Sequence, residues 1–148
     1  MGILMALLAS QALISGPMMV VDGDTLRVGS ERVRLVGIDA PEQTQRCGPE
    51  RRVACGIMAS QWLEQFVKGR IVQCLPTKRD RYGRLLAKCN VGGTDLGAAI
   101  VEAGWAIAYR RYSNAYVLPE SRARRARRGL WAFGFQAPET YRTIHRRP

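Results

Sequence analysis

Four polar clusters sit inside one β-rich stretch of this chain: Asp22-Gly23-Asp24-Thr25, Arg34, Asp39-Ala40-Pro41-Glu42 and Asp80-Arg81-Tyr82-Gly83-Arg84. Their residue types meet the needs of phosphodiester hydrolysis. Carboxylates can hold a hard cation, a further carboxylate can handle the proton of a water, and two guanidiniums can brace a phosphate through forked hydrogen bonds. Singly, each cluster has a bland reading. Asp-Gly-Asp-Thr is an ordinary hairpin turn, Asp39-Ala-Pro-Glu a loop-entry or helix-capping device, Asp80-Arg-Tyr-Gly-Arg a polar hairpin tip, and Arg34 a surface strand residue. Independent structural needs do not reproduce all four together, so they are read as one constellation.

Each cluster follows or precedes a strand-like run, and a closed sheet would gather them. Residues 18–21, 25–28 and 32–38 read as three strands separated by Asp-Gly and Gly-Ser turns. A polar loop runs from Asp39 to about Cys55. Residues 57–67 have helical spacing, with Met58, Trp62, Leu63 and Phe66 as the apolar positions, and stop before Gly69. A hairpin follows over 70–75 and 85–91. Thr94-Asp95 starts a second helix bearing Leu96, Ile100 and Val101, closed by Gly104; residues 105–109 are extended. Residues 119–128 form a third, very basic helix stopped by Gly129, and Leu130-Trp131 lead a tail packed back on the body. Five short strands with a helix between the third and fourth predict a small Greek-key barrel of the OB type, a β-barrel with three helices.

At 148 residues and 47% hydrophobic, the chain has room for one compact domain, residues 13–148, ending in a basic tail. Its net charge of +11 and pI of about 10.4 call for a polyanionic partner: nucleic acid, acidic polysaccharide or an anionic membrane surface. The excess of Arg over Lys fits bidentate phosphate contact and equally a GC-rich codon bias. The run Arg122–Arg128 reads as a solvated helix face that adds attraction for polyanions, and Trp62 and Trp105 as core residues rather than stacking platforms. The first twenty-one residues carry no charge. Gly2 to Ile14 is apolar but short of the roughly 20 residues of a membrane span. Ser10-Gln11-Ala12 suits a signal peptidase, so residues 1–12 are expected to be a signal peptide; the basic start of such a leader is missing, and a buried N-terminal segment is the rival.

Four cysteines, Cys47, Cys55, Cys74 and Cys89, allow three pairings. Cys74 and Cys89 are equidistant from the Arg81-Tyr82 turn and so oppose one another in the hairpin. Val72 and Cys74 share one face with Leu85, Ala87, Cys89 and Val91 across from them, leaving Gln73, Lys88 and Asn90 outward. Cys47 and Cys55 remain as the second pair, bracketing a short polar loop. The rivals are metal binding, without any CxxC spacing and with the single His145 in the tail, and free thiols in a reducing cytosol.

From about Val20 to Trp131 the chain resembles the thermonuclease family, the staphylococcal-nuclease-like enzymes, and in particular their exported, cysteine-containing bacterial branch. The resemblance rests on Val21-Asp22-Gly23-Asp24-Thr25-Leu26, Arg34-Leu35-Val36-Gly37-Ile38-Asp39-Ala40-Pro41-Glu42, Asp80-Arg81-Tyr82-Gly83-Arg84, Gly104-Trp105-Ala106 and Gly129-Leu130-Trp131, in the family's order. It implies an OB barrel with three helices. It implies that Asp24, Asp39 and the Ala40 carbonyl hold one calcium ion, although the family often has threonine at the Ala40 position. Asp22 would stand near the metal and reach it through water. Glu42 would orient or deprotonate the attacking water, Arg34 and Arg84 would grip the scissile phosphate, and Tyr82 and Tyr109 would line a nucleotide pocket. For Tyr109 the spacing slips by one residue between Gly104 and Tyr112.

The resemblance further implies a calcium-dependent, sugar-nonspecific nuclease that cleaves the phosphate–5′-oxygen bond and leaves 3′-phosphates. Its partners would be single-stranded or locally melted DNA and RNA; it would be a monomer, free of the membrane once the leader is removed, and periplasmic or secreted. Two rivals stand beside this reading. One is a nuclease-like domain that only binds nucleic acid, against which both arginines and all three carboxylates are present. The other is a basic exported module for acidic polysaccharide, which needs no buried carboxylate cluster.

Overall fold

The computed structural model describes residues 12–145, so the expected signal peptide over residues 1–12 lies outside them but for Ala12. β1 (Ile14–Gly16) and β2 (Met18–Asp22) are two halves of one strand, interrupted at Pro17, a residue with no N–H to give a ladder. β2 pairs antiparallel with β3 (Thr25–Val28), and β3 with β4 (Glu31–Leu35). β4 runs parallel to β7 (Leu85–Val91), β7 pairs antiparallel with β6 (Val72–Arg79), and β6 pairs with β1. The ring closes through five strands. This is the expected OB barrel, and closure leaves it no edge.

The sequence reads residues 32–38 as one strand; the structure breaks it. β4 ends at Leu35, Gly37 turns the chain with φ 77°, and β5 (Ile38–Asp39) leaves the barrel to pair with β9 (Ile107–Ala108). That turn carries Asp39 into the interior. Leu26, Val33, Leu35, Val72, Ala87 and Val91 fill the barrel, capped by Leu63 of α1 (Cys55–Val67) and Ile100 of α2 (Leu96–Glu102). The buried stripe of α1 is Cys55, Ala59, Leu63 and Val67; of the positions that the spacing favours, only Leu63 lies on it. Small residues let the helix lie close to β2, while Trp62 and Phe66 stack on one another beside it, ring centres 5.0 Å apart.

Asp95 caps α2, its Oδ1 accepting the amides of Gly97 and Ala98, after a two-residue β8 (Thr94–Asp95) on β7. The basic helix, α3 (Val117–Arg125), starts two residues earlier than the sequence pattern indicates, and its arginines face solvent. The C-terminal segment is helical as well. It forms α4 (Leu130–Phe133), whose buried Leu130 packs on the body, and α5 (Pro138–Ile144). Among the described residues no helix is long and apolar enough to cross a membrane.

Cys74 and Cys89 are register partners in the β6–β7 hairpin and form a disulfide; Cys47 and Cys55 form the second. Two bridges fit an oxidising compartment outside the cytoplasm. Disulfide mapping of the unreduced protein is expected to recover these two pairs and no free thiol. Closing a loop of about 15 residues is worth roughly 3 kcal/mol, so reduction lowers the melting temperature measurably. Four reactive thiols in protein from its native compartment would overturn the pairing.

Candidate active site

The site is built where β2, β4 and β5 end together. A register shift between Val20 and Asp22 bends β2 just before the Asp22-Gly23-Asp24 turn. Gly23 has to be glycine: a Cβ there would lie 2.7 Å from that of Ala40. The close approach lets the Ala40 amide donate to Asp24 Oδ2 at 2.9 Å, while the Thr25 hydroxyl donates to Asp24 Oδ1 at 3.2 Å. Asp22 Oδ1 accepts the Asp24 amide. Asp39 is fully buried at the end of β5. Between the two aspartates stands Arg34, with Nη2 3.3 Å from Asp24 Oδ2 and 3.4 Å from Asp39 Oδ1. Its Nη1 donates to the carbonyls of Leu35 and Ile38, so the arginine also pins the turn that delivers Asp39.

Glu42 is held by the loop behind it. Buried Gln45 accepts the Glu42 amide at its Oε1, donates its own amide to the Glu42 carbonyl, and donates Nε2 to the Gln136 carbonyl. The first turn of α1 then presses on this loop. A Cβ at Gly56 would fall 1.8 Å from the Glu42 carbonyl oxygen, so any side chain there displaces Glu42. Nothing in the sequence pattern marks Gln45 or Gly56, because their roles arise from a packing contact between loop and helix.

The β6–β7 tip supplies the opposite wall. Asp80 accepts Arg84 Nε at 2.8 Å and two backbone amides of the tip. Burial works to raise the Asp80 pKa, but the hydrogen bonds from Arg84 and the tip amides outweigh it and leave the carboxyl below its ordinary value. Braced in this way, Arg84 reaches back to Thr25 Oγ1 at 3.4 Å, next to Asp24. Tyr82 is exposed beneath the Arg81 and Arg84 guanidiniums. Tyr109 packs edge-on against Tyr112 near Asp39; burial, then the Asp39 charge, pushes its phenol up. The structure therefore gathers Asp24, Arg34, Asp39, Ala40 and Glu42 at one place, with Arg84 across from them and the tyrosines at the rim.

One participant was not anticipated. Arg142 of α5 donates to both oxygens of Asp39, at 2.8 and 3.0 Å, and to Glu42 Oε1 at 3.0 Å. Only Pro138 at the first helical position and Glu139 in the first turn mark that helix in the sequence.

The family described as staphylococcal nuclease homologue matches residues 32–133. The chain belongs to the staphylococcal nuclease family. It is a hydrolase of the nuclease type, and its substrates are nucleic acids. It is 36% identical over 120 residues to an uncharacterized endonuclease of Escherichia coli O157:H7, an alignment that covers 76% of this chain and 73% of that one. It is 38% identical over 98 residues to the succinoglycan biosynthesis protein ExoI of Rhizobium meliloti (strain 1021), covering 64% of this chain and 51% of that protein. It is 34% identical over 114 residues to the probable endonuclease LCL3 of Clavispora lusitaniae, covering 69% and 48%. The chain thus spans about half the length of the latter two. Asp24 and Arg142 both lie outside the segment that the family description matches.

A staphylococcal nuclease homologue calls for a hard divalent cation, and the donors here suit one by chemistry. Asp24 and Asp39 offer carboxylate oxygens, and Ala40 lies directly beside them, its amide bonded to Asp24 Oδ2. Four carboxylates, Asp22, Asp24, Asp39 and Glu42, share the site with two guanidiniums, Arg34 and Arg142. Burial, then the Asp24 charge, pushes Asp22 up to about 7, and burial also raises Asp39 against the pull of Arg142. Among the described residues no three His, Cys, Asp or Glu side chains converge as a ready-made metal cluster, because Arg34 and Arg142 stand between the carboxylates.

Proposed function

We propose that this nuclease hydrolyses phosphodiester bonds of single-stranded or locally melted DNA and RNA with little sugar specificity, using one calcium ion and leaving 3′-phosphates. The observation that carries the reading is the single network joining Asp24, Arg34 and Asp39, with Arg84 reaching Asp24's neighbour Thr25 from the opposite wall. Asp24, Asp39 and the Ala40 carbonyl hold the ion. Bound there, calcium supplies Lewis-acid polarisation of the phosphate and balances charge.

Glu42 orients the attacking water and takes its proton. Its carboxylate is partly exposed, 35% of its side chain facing solvent, so water reaches it. Arg34 and Arg84 brace the phosphate oxygens from two sides as negative charge grows on them. Tyr82 and Tyr109 seat the nucleotide, and the net charge of +11 draws polyanions to the surface. The domain acts as a monomer over residues 13–148, delivered by its leader to the periplasm or beyond the cell, where the two disulfides are stable.

The deciding experiment incubates the purified protein with single-stranded DNA and with RNA, in calcium or in chelator, and analyses the ends formed. Calcium-dependent digestion that leaves 3′-phosphates and 5′-hydroxyls is expected on both. Digestion unchanged in chelator would sink the calcium assignment. Retention of DNA without cleavage would leave a nucleic-acid-binding domain, and binding of acidic polysaccharide alone would point to the basic-module reading.

A further inference from the structure

Arg142 stands in a place that a substrate-processing site has to keep open. Both oxygens of the fully buried Asp39 accept from it, and Asp39 Oδ1 also faces Arg34 Nη2 at 3.4 Å. A carboxylate oxygen has two lone pairs, so Oδ1 is fully engaged and Oδ2 half engaged before any ion arrives. Glu42 Oε1 is engaged as well. One guanidinium therefore covers a proposed metal ligand and the proposed base at once.

The segment that carries this arginine is lightly held. Of the seven residues of α5 only Pro138 is buried. Its other ties lie at or near the surface: Arg111 to Glu139 at 2.8 Å, a hydrogen bond between Tyr109 and Glu139, and one of 3.1 Å shared by Thr44 and Tyr141. Gly134, with a positive φ of 79° and open space around it, precedes the helix. The firm anchor, Gln45 to the Gln136 carbonyl, lies upstream of α5. Release of α5 thus costs a few exposed contacts and the Arg142 bonds to Asp39 and Glu42, which an entering cation has to replace, and it leaves the barrel core in place.

We propose that Arg142 sets the cation affinity of this site, as a tethered competitor for Asp39 and Glu42, and that α5 lifts away when calcium and a nucleic-acid phosphate enter together. The inference rests on the calcium reading above. A competitor tied to the same chain acts at high effective concentration. If the closed form holds about 99% of the molecules, the apparent calcium affinity is weakened about 100-fold. The substrate's phosphate, a further ligand for the ion and a counter-charge for the freed guanidinium, favours the open form. Calcium would then be retained chiefly where nucleic acid is present.

The test uses the full chain. Calcium affinity is measured by calorimetry for wild type, Arg142→Gln and Arg111→Gln, the last loosening α5 from outside the site. Hydrogen exchange of residues 138–145 is followed in chelator, in calcium, and in calcium with a phosphorothioate oligonucleotide. Arg142→Gln should bind calcium at least 10-fold more tightly and Arg111→Gln a few-fold more tightly. In wild type, exchange of 138–145 should quicken with calcium and oligonucleotide together. Tighter binding in Arg142→Gln alone, with α5 equally protected in every condition, would show a local charge effect and overturn the proposal. Wild type that binds calcium normally with α5 still docked would sink it while leaving the calcium reading intact. Calcium bound by none of the three proteins would remove both.

Discussion

Arg84→Lys is expected to lower turnover on single-stranded DNA by about 10²–10³-fold, the range seen when one preorganised donor to a developing oxyanion is removed. The reason lies in how Arg84 is braced. Its Nε is bonded to Asp80, and that bond holds the guanidinium so that Nη1 reaches Thr25, next to Asp24. Lysine has one nitrogen. It can answer Asp80 or face the phosphate, and it presents no fork in either case. Stability should change little, because the Asp80–Arg84 pair is partly exposed and such pairs contribute about 1 kcal/mol or less. KM should move much less than kcat, since the remaining basic surface still attracts the polyanion. Steady-state kinetics at saturating calcium, with thermal melts alongside, check this. Equal loss of binding and turnover would show that Arg84 only attracts substrate. Arg34→Lys makes a useful contrast: it should lose activity and stability together, because Arg34 also bonds the Leu35 and Ile38 carbonyls inside the turn.

What could be read from the sequence follows from how local its cause is. The β6–β7 hairpin was legible because alternation and the equal offsets of Cys74 and Cys89 from the turn are local patterns; the register pairs these two residues. The gathering of Asp24, Arg34 and Asp39 was legible because each sits at the end of a strand in a closing sheet. Half of the first strand was not. Ile14-Ser15-Gly16 lies beyond Pro17 and merges with an apolar run that reads as a leader, yet it closes the barrel on β6. On α1, large apolar residues drew the pattern toward Met58, Trp62 and Phe66, whereas close packing on β2 selected the stripe with Ala59. Arg142 had no legible signal at all. Its helix shows no apolar period, and its partners Asp39 and Glu42 lie about a hundred positions upstream. A residue recruited by long-range charge complementarity leaves no local trace.

Asp24→Asn is expected to abolish measurable calcium binding at concentrations that saturate wild type and to cut DNA hydrolysis by at least about 10²-fold, on the principle that calcium affinity follows the charge count of its ligands. The substitution separates charge from shape. An asparagine oxygen can still accept the Ala40 amide, which Asp24 Oδ2 accepts at 2.9 Å, so the contact that closes the Gly23 turn on Ala40 survives. What is lost is one negative charge beside Arg34, whose Nη2 keeps Asp39 as a partner. The barrel should therefore stay folded, with a destabilisation of about 1–3 kcal/mol from the weakened buried pair. Calcium calorimetry, kinetics and a thermal melt on the same preparation test all three parts. Asp22→Asn is the matched control: Asp22 bonds the Asp24 amide and feels the Asp24 charge but has no bond to Arg34 or Ala40, so its loss should weaken calcium binding less than the loss of Asp24. If Asp24→Asn digests DNA as fast as wild type, Asp24 does not hold the ion. If the Asp22 variant is the more damaged of the two, the ligand belongs at Asp22, and the bend in β2 presents that carboxylate to the metal instead.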